Sequence, residues 1–201
     1  GIRNRTVLTL LVATLLFGVS LSSLELLWQP RVQSILGTTE LSWVLGVLAA
    51  GYFFSASVGS AISIRVCDLF GGRYPRVVFA SRFIAGMFLL LLTLQENILG
   101  FTLFFFLIVL TDGVADPADA AMYNAELPGK VRSTMLSLRS LTIQIGGMIG
   151  SLAIGFLAGA HSIGFAWSVA AAVLGASSFF YLALAFRESP AHGPSEPIKT
   201  T

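Results

Sequence analysis

The stretch Ile98–Ala118, ILGFTLFFFLIVLTDGVADPA, decides the fold class. A bilayer has a hydrocarbon core about 30 Å thick, and a helix that rises 1.5 Å per residue needs about 20 mostly apolar residues to cross it. Ile98–Ala118 meets that length, and residues 98–111 carry no charge at all. We therefore predict that this stretch is a transmembrane helix.

Five further apolar runs have the same character. They are rich in Leu, Ala, Phe and Gly without an alternating pattern, which favours helices over barrel strands. The predicted spans are Thr6–Trp28, Ser42–Ile64, Val77–Gln95, Ile98–Ala118, Thr134–Leu157 and Ser162–Phe186. The predicted fold is an all-α membrane protein in which residues 1–187 form a bundle of six transmembrane helices. Residues 188–201 hold three of the seven prolines and are predicted to be a disordered cytoplasmic tail.

Composition excludes several other classes of protein. Among 201 residues, 55% are hydrophobic and 11% are charged, whereas a typical soluble domain has roughly 25% charged residues. Such hydrophobicity excludes a disordered chain, and the single cysteine, Cys67, excludes a disulfide scaffold. The net charge of +2 comes from cations scattered between apolar runs, so no nucleic-acid partner is expected.

Positive charges predict the orientation. Arg3 and Arg5 before an apolar run resemble a signal peptide, but apolarity resumes through Trp28 and favours a full span. Because the chain begins with Gly1 rather than Met, we expect a fragment or a processed product. Nine cations fall on one side of the predicted bundle: Arg3, Arg5, Arg65, Arg73, Arg76, Lys130, Arg132, Arg187 and Lys199. The positive-inside rule makes that side cytoplasmic, with both termini there, in a plasma or inner membrane.

Small residues predict where helices pack closely. Gly51, Ser55, Gly59 and Ser63 recur every four residues in the second span, and Gly146/Gly150 and Gly155/Gly159 form two GxxxG pairs in the fifth. Lipid provides no hydrophobic drive between helices, so smooth faces of this kind favour association. Structural packing and faces that slide during transport both remain open interpretations.

Acidic residues in the fourth span are the main candidates for function. Asp112, Asp116 and Asp119 are spaced to share one helix face. A charge at this depth usually marks function or pairing. A proton-coupled carrier needs an acid that takes up and releases a proton. The alternative is pairing with Arg132 or Arg139 of the fifth span.

Other polar residues in the spans complete the candidate set. Glu25 either pairs with Arg31 or lines an outer vestibule, and Gln144 is a deep polar residue that contacts another helix or a substrate. Asp112, Asp116, Glu25 and Gln144 are thus the candidate substrate or proton pathway. Arg82 is expected to extend to the cytoplasmic headgroups. No metal, cofactor or nucleophile–base set is indicated, so an enzyme is not expected.

Two short loops carry a family resemblance. Asp68-Leu69-Phe70-Gly71-Gly72-Arg73 resembles the D-R-x-G-R-R loop of the major facilitator superfamily. Glu126-Leu127-Pro128, followed by Arg132-Ser133-Thr134 and Leu136-Ser137-Leu138, resembles its E-x-P-x-x-x-R-x-T-x-L-S-L stretch. The chain departs from the first motif at Ile64, where the family has Gly, and at Leu69, where it has a cation. The alignment implies the C-terminal half of a twelve-helix bundle.

The resemblance implies a role for the chain. It implies a secondary active transporter domain that moves a small solute by alternating access, with protons favoured over sodium and efflux or uptake open. Loop contacts that govern conformation would involve Asp68, Gly71, Arg73, Glu126, Arg132 and Arg139. The partner would be an N-terminal six-helix half in the same polypeptide or a second copy. The alternatives are a non-transporting scaffold or sensor of the same fold, or a homodimeric half-transporter.

Overall fold

The computed structural model describes residues 5–37, 42–125 and 132–186, and these form six helices. The helices are α1 (Arg5–Leu36), α2 (Ser42–Leu69), α3 (Tyr74–Thr93), α4 (Ile98–Ala125), α5 (Arg132–Ala160) and α6 (Ile163–Ala185). Each helix is long and apolar enough to cross a membrane. The predicted all-α bundle of six transmembrane helices is therefore confirmed. The predicted tail, residues 188–201, lies outside the described residues and remains a prediction.

Two helices run well beyond their predicted spans. α1 continues through Pro30 to Leu36, although the predicted span ended at Trp28. α4 continues through Pro117 to Ala125, although the predicted span ended at Ala118. The prediction followed the apolar run, whereas a helix can extend past the hydrocarbon layer and tolerate proline where other groups satisfy the freed backbone.

The packing contacts of helices α1, α2 and α3 are repeated by helices α4, α5 and α6. α3 packs between α4 and α6, α1 packs between α5 and α6, and α2 packs against α4. Exchanging α1 with α4, α2 with α5 and α3 with α6 maps this set of contacts onto itself. α2 and α5 lie at the two ends of the arrangement and have the least buried apolar segments. The bundle therefore leaves one face of each of these two helices open.

Glycines allow close approach at two equivalent crossings. A Cβ on Gly146 of α5 would overlap the carbonyl oxygen of Leu15 in α1, next to Gly18. A Cβ on Gly59 of α2 would overlap a carbonyl oxygen of α4, next to Gly113. The predicted small-residue faces thus do pack helices together at these crossings. The second GxxxG pair differs at Gly159, where a Cβ would meet no neighbouring atom of the described residues. Gly159 therefore makes no close helix crossing among those residues.

The turn between α2 and α3 contains two glycines, and its backbone conformation requires them. Gly71 and Gly72 have φ values of 65° and 71°, which is left-handed backbone that strains residues with a Cβ. The Gly71 N–H donates to the Asp68 carbonyl and the Gly72 N–H to the Cys67 carbonyl, each at 2.9 Å, so they close the end of α2.

Two apolar clusters fill the interior of the bundle. One includes Phe17, Phe105 and Trp167, and the other includes Val77, Met122 and Tyr181. α3 contributes first to the second cluster and then to the first, whereas α4 contributes to the first cluster and then to the second. Arg82 and Asp112 lie on those same helices between the two contributions. A charged layer therefore separates the two apolar clusters.

Candidate functional site

The central feature of the charged layer is an ion pair between α3 and α4. A guanidinium Nη1 of Arg82 donates to Oδ1 of Asp112. The Cζ atom of Arg82 lies 3.2 Å from the centroid of the Phe17 ring, so the cation also contacts an aromatic face. Arg82 is only 1% exposed, and among the described residues its Nε has no hydrogen-bond partner. The pair joins three helices near the middle of the bundle.

The burial of Arg82 corrects a prediction. We expected this side chain to extend to the cytoplasmic headgroups, and that prediction is wrong because the arginine is enclosed between helices. A carboxylate on α4 and an aromatic ring on α1 are both within reach of the guanidinium, and together they compensate for its burial. Neither partner is visible from the sequence of α3 alone.

Asp112 connects the buried arginine to an open cleft. The side chain of Asp112 is 27% exposed, whereas that of Arg82 is 2% exposed. The carboxylate lines a cleft of about 350 Å³ between α2 and α4. The residues that line the cleft are Tyr52, Ala56, Ser57, Ser60, Val109, Asp112, Gly113 and Asp116. One carboxylate thus faces both a buried cation and a space large enough for water or a solute.

A second ionic group lies further along α4. Arg139 of α5 donates from Nε to Asp119 Oδ2 at 2.9 Å and from Nη2 to Asp116 Oδ1 at 2.5 Å. The Tyr181 hydroxyl donates to the other oxygen of Asp119 at 3.0 Å. The side chain of Asp119 is 2% exposed and that of Asp116 is 60% exposed. The same arginine therefore holds one buried and one cleft-facing acid.

The structure gives each of the three acids of α4 an arginine partner. Asp116 and Asp119 are paired with Arg139, one of the two arginines proposed as partners from the sequence. The side chain of the other, Arg132, lies outside the described residues. Asp112 is also paired, but with Arg82, which the sequence did not suggest as its partner. All three acids are thus ion-paired, and two of them also line the cleft.

Glu25 lies in a second cavity, called the outer cavity because it lies on the side that the positive-inside rule predicts to be external. This cavity of about 290 Å³ is lined by Leu24, Glu25, Trp28, Ala49, Tyr52, Phe53 and Phe105. Arg31 does not pair with Glu25; its Nη2 donates to the Gln95 carbonyl at 2.7 Å. Of the two predictions for Glu25, the structure supports the cavity lining. Tyr52 lines both this cavity and the cleft at Asp112.

Several predicted residues lie away from these spaces. Gln144 is exposed on α5, outside both the outer cavity and the cleft. Asp68 is exposed at the end of α2, and Gly71 and Arg73 follow in the turn. Among the described residues Asp68 forms no salt bridge, and its role in loop contacts stays a prediction. Glu126 lies outside the described residues.

Sequence reasoning missed three contributors to the site. Tyr52, Ser57 and Ser60 line the cleft from α2. Only a weak signal for two of them was present in the sequence, because Ser57 and Ser60 are polar residues three apart in an apolar run. In the described ranges no group of three His, Cys, Asp or Glu residues is placed to hold a metal ion.

The described residues thus form six helices that could span a membrane and that enclose ion pairs beside an open cleft, and charged groups at such depth usually mark function. The sequence matches the family model of the Major Facilitator Superfamily over residues 10–200, and the chain belongs to that superfamily. The internal three-helix repeat agrees with the nested repeats in each half of these transporters.

A solved structure shows the same fold. The chain is similar to the crystal structure of the POT family transporter PepTSo, with a TM-score of 0.76 and 18% sequence identity. The match covers 96% of this chain but only 39% of the PepTSo chain. A search of curated protein sequences gives no match. The chain is therefore an integral, multi-pass membrane protein of a transporter family, and it spans less than half the length of that relative.

Proposed function

We propose that this chain is one half of a secondary active transporter that moves a small solute by alternating access, coupled to protons. The observation that carries the proposal is Asp112, an acid that lines the cleft and is paired with a buried arginine. Protonation of Asp112 from the cleft would remove the counter-charge of Arg82 and weaken the contact between α3 and α4. Because α4 also forms the cleft with α2, protonation would bias the position of α4 relative to α2.

The partner of the chain is inferred from its open faces. α2 and α5 expose large apolar side chains, among them Phe53, Phe54, Leu152 and Phe156. α2 also lines the cleft, so a second six-helix unit against these faces would enclose it. We propose an N-terminal half of the same polypeptide as that unit, with a second copy as the alternative. The excess of cations before α1, between α2 and α3 and after α6 supports cytoplasmic termini.

Proton coupling is tested by transport in proteoliposomes. We expect a pH gradient of one unit to drive accumulation of a neutral solute by up to about tenfold per proton. The variant Arg82→Met/Asp112→Asn removes both charges of the ion pair, so no unpaired charge is left buried. It is expected to let the solute equilibrate but not accumulate, while Asp112→Glu retains accumulation.

The matched control is Glu96→Gln, which removes an exposed acid in the connection between α3 and α4. This variant is expected to accumulate the solute as the unmodified protein does. Continued pH-driven accumulation by the double variant would contradict Asp112 as the coupling acid. Absence of movement of any solute, under any gradient, would favour the scaffold or sensor alternative.

A further inference from the structure

The outer cavity between α1, α2 and α4 is lined mainly by aromatic rings. Trp28 and Phe105 lie with their ring centroids 5.6 Å apart, and Tyr52 and Phe105 lie 6.0 Å apart. The Phe53 ring packs edge-on to Tyr52 at 5.4 Å. These four rings come from three different helices, so the tertiary structure assembles an aromatic lining that no single segment contains.

The charged residues that line the outer cavity and the cleft are all negative. Glu25 is the charged residue of the outer cavity, and Asp112 and Asp116 are those of the cleft. The nearby arginines have other partners. Arg31 donates to the Gln95 carbonyl, and Arg82 and Arg139 are bound to aspartates. Among the described residues Glu25 pairs with no cation.

Aromatic faces and a carboxylate form a recognisable chemical combination. The face of an aromatic ring carries negative electrostatic potential and attracts an organic cation, and Trp is the strongest of these rings. A carboxylate adds a full negative charge, which also disfavours an anionic ligand. The volume of about 290 Å³ is close to the lower end of small-molecule sites, roughly 300 Å³.

We propose that the outer cavity is the binding site for a small organic cation, with an ammonium group against Glu25 and an apolar body against the rings of Trp28, Tyr52 and Phe105. This proposal names the substrate class of the transporter and so rests on the proposed function. Tyr52 lines both spaces, so it marks the point where the cation would pass from the outer cavity to the cleft at Asp112. There the cation and a proton would compete for the same carboxylate.

Binding is tested with phenyltrimethylammonium, a quaternary cation whose charge does not depend on pH, and with benzenesulfonate, an anion of similar size. Equilibrium dialysis against the purified protein, expressed from its native gene, measures both affinities in one detergent. We expect the cation to bind at least about tenfold more tightly than the anion. Glu25→Gln is expected to weaken cation binding by about tenfold, whereas Glu96→Gln leaves it unchanged.

The aromatic contribution has its own pair of variants. Tyr52→Phe keeps the ring face and is expected to retain affinity for phenyltrimethylammonium, whereas Tyr52→Leu removes the ring and weakens binding several-fold. Failure of the cation to bind, equal binding of benzenesulfonate, or equal affinity in Glu25→Gln would overturn the proposal. If pH-driven transport of a neutral solute persisted in that case, the proposed function would stand without this substrate class. If the cation bound but no gradient moved it, the proposed function would fail instead.

Discussion

Replacing Asp112 with Asn is expected to lower the free energy of unfolding by about 3–5 kcal/mol, because the change leaves a buried guanidinium without its counter-charge. Arg82→Met is expected to cost less. The remaining Asp112 carboxylate has a 27% exposed side chain, and it can be hydrated from the cleft. The measurement is the thermal unfolding midpoint of the purified protein in one detergent, compared across the two variants.

The double variant Arg82→Met/Asp112→Asn serves as the control for this interpretation. It removes both charges, so we expect it to be more stable than Asp112→Asn alone. Asp112→Glu keeps the charge and is expected to lie near the unmodified protein. If Arg82→Met were as damaging as Asp112→Asn, or if the double variant were no better than Asp112→Asn, the ion pair would not be the cause.

Arg139→Met is the second substitution with a large expected effect. It removes the cation that contacts both Asp116 and Asp119, and it leaves Asp119 buried with a charge. We expect a loss of about 3–5 kcal/mol in the free energy of unfolding. The Tyr181 hydroxyl still donates to Asp119, but a single neutral donor does not replace a full positive charge.

Asp116→Asn provides the matched comparison, because it removes an acid that contacts the same arginine. The side chain of Asp116 is 60% exposed, and exposed ion pairs contribute about 1 kcal/mol or less. Its unfolding midpoint is therefore expected to lie close to that of the unmodified protein. If the midpoint for Asp116→Asn were as low as that for Arg139→Met, the contribution of Arg139 to stability would not come from its pairing with the buried Asp119.

The sequence was sufficient for features that depend on one helix at a time. The apolar runs predicted six spans, and the four-residue spacing of small residues predicted the close face that includes Gly59. The acids of α4 share one face, and the presence of Arg139 at a similar depth in α5 made it a reasonable partner. Hydropathy and helical periodicity are properties of a single segment, so they can be read directly.

Features that depend on the rotation of one helix against another could not be predicted in this way. The sequence of α3 shows that Arg82 is charged, but not that it faces Asp112 and the ring of Phe17. The outer cavity could not be predicted for the same reason, because Trp28, Tyr52 and Phe105 come from three helices. The relative rotation of packed helices is fixed by side-chain contacts between them, which no single-segment pattern records.

Alternating access at the cleft is the central claim, and side-specific labelling of one cysteine tests it most directly. The variant Ser57→Cys, made with Cys67→Ser, places a thiol in the cleft beside Asp112. A membrane-impermeant thiol reagent is applied to oriented vesicles from one side or the other, with and without a pH gradient. Glu96→Cys, in the exposed connection between α3 and α4, gives the reference for a position that is reached from one side only. We predict that the thiol at position 57 reacts from both sides and that the gradient changes the ratio of the two rates. Reaction from one side only, at a ratio that the gradient does not change, would contradict the account.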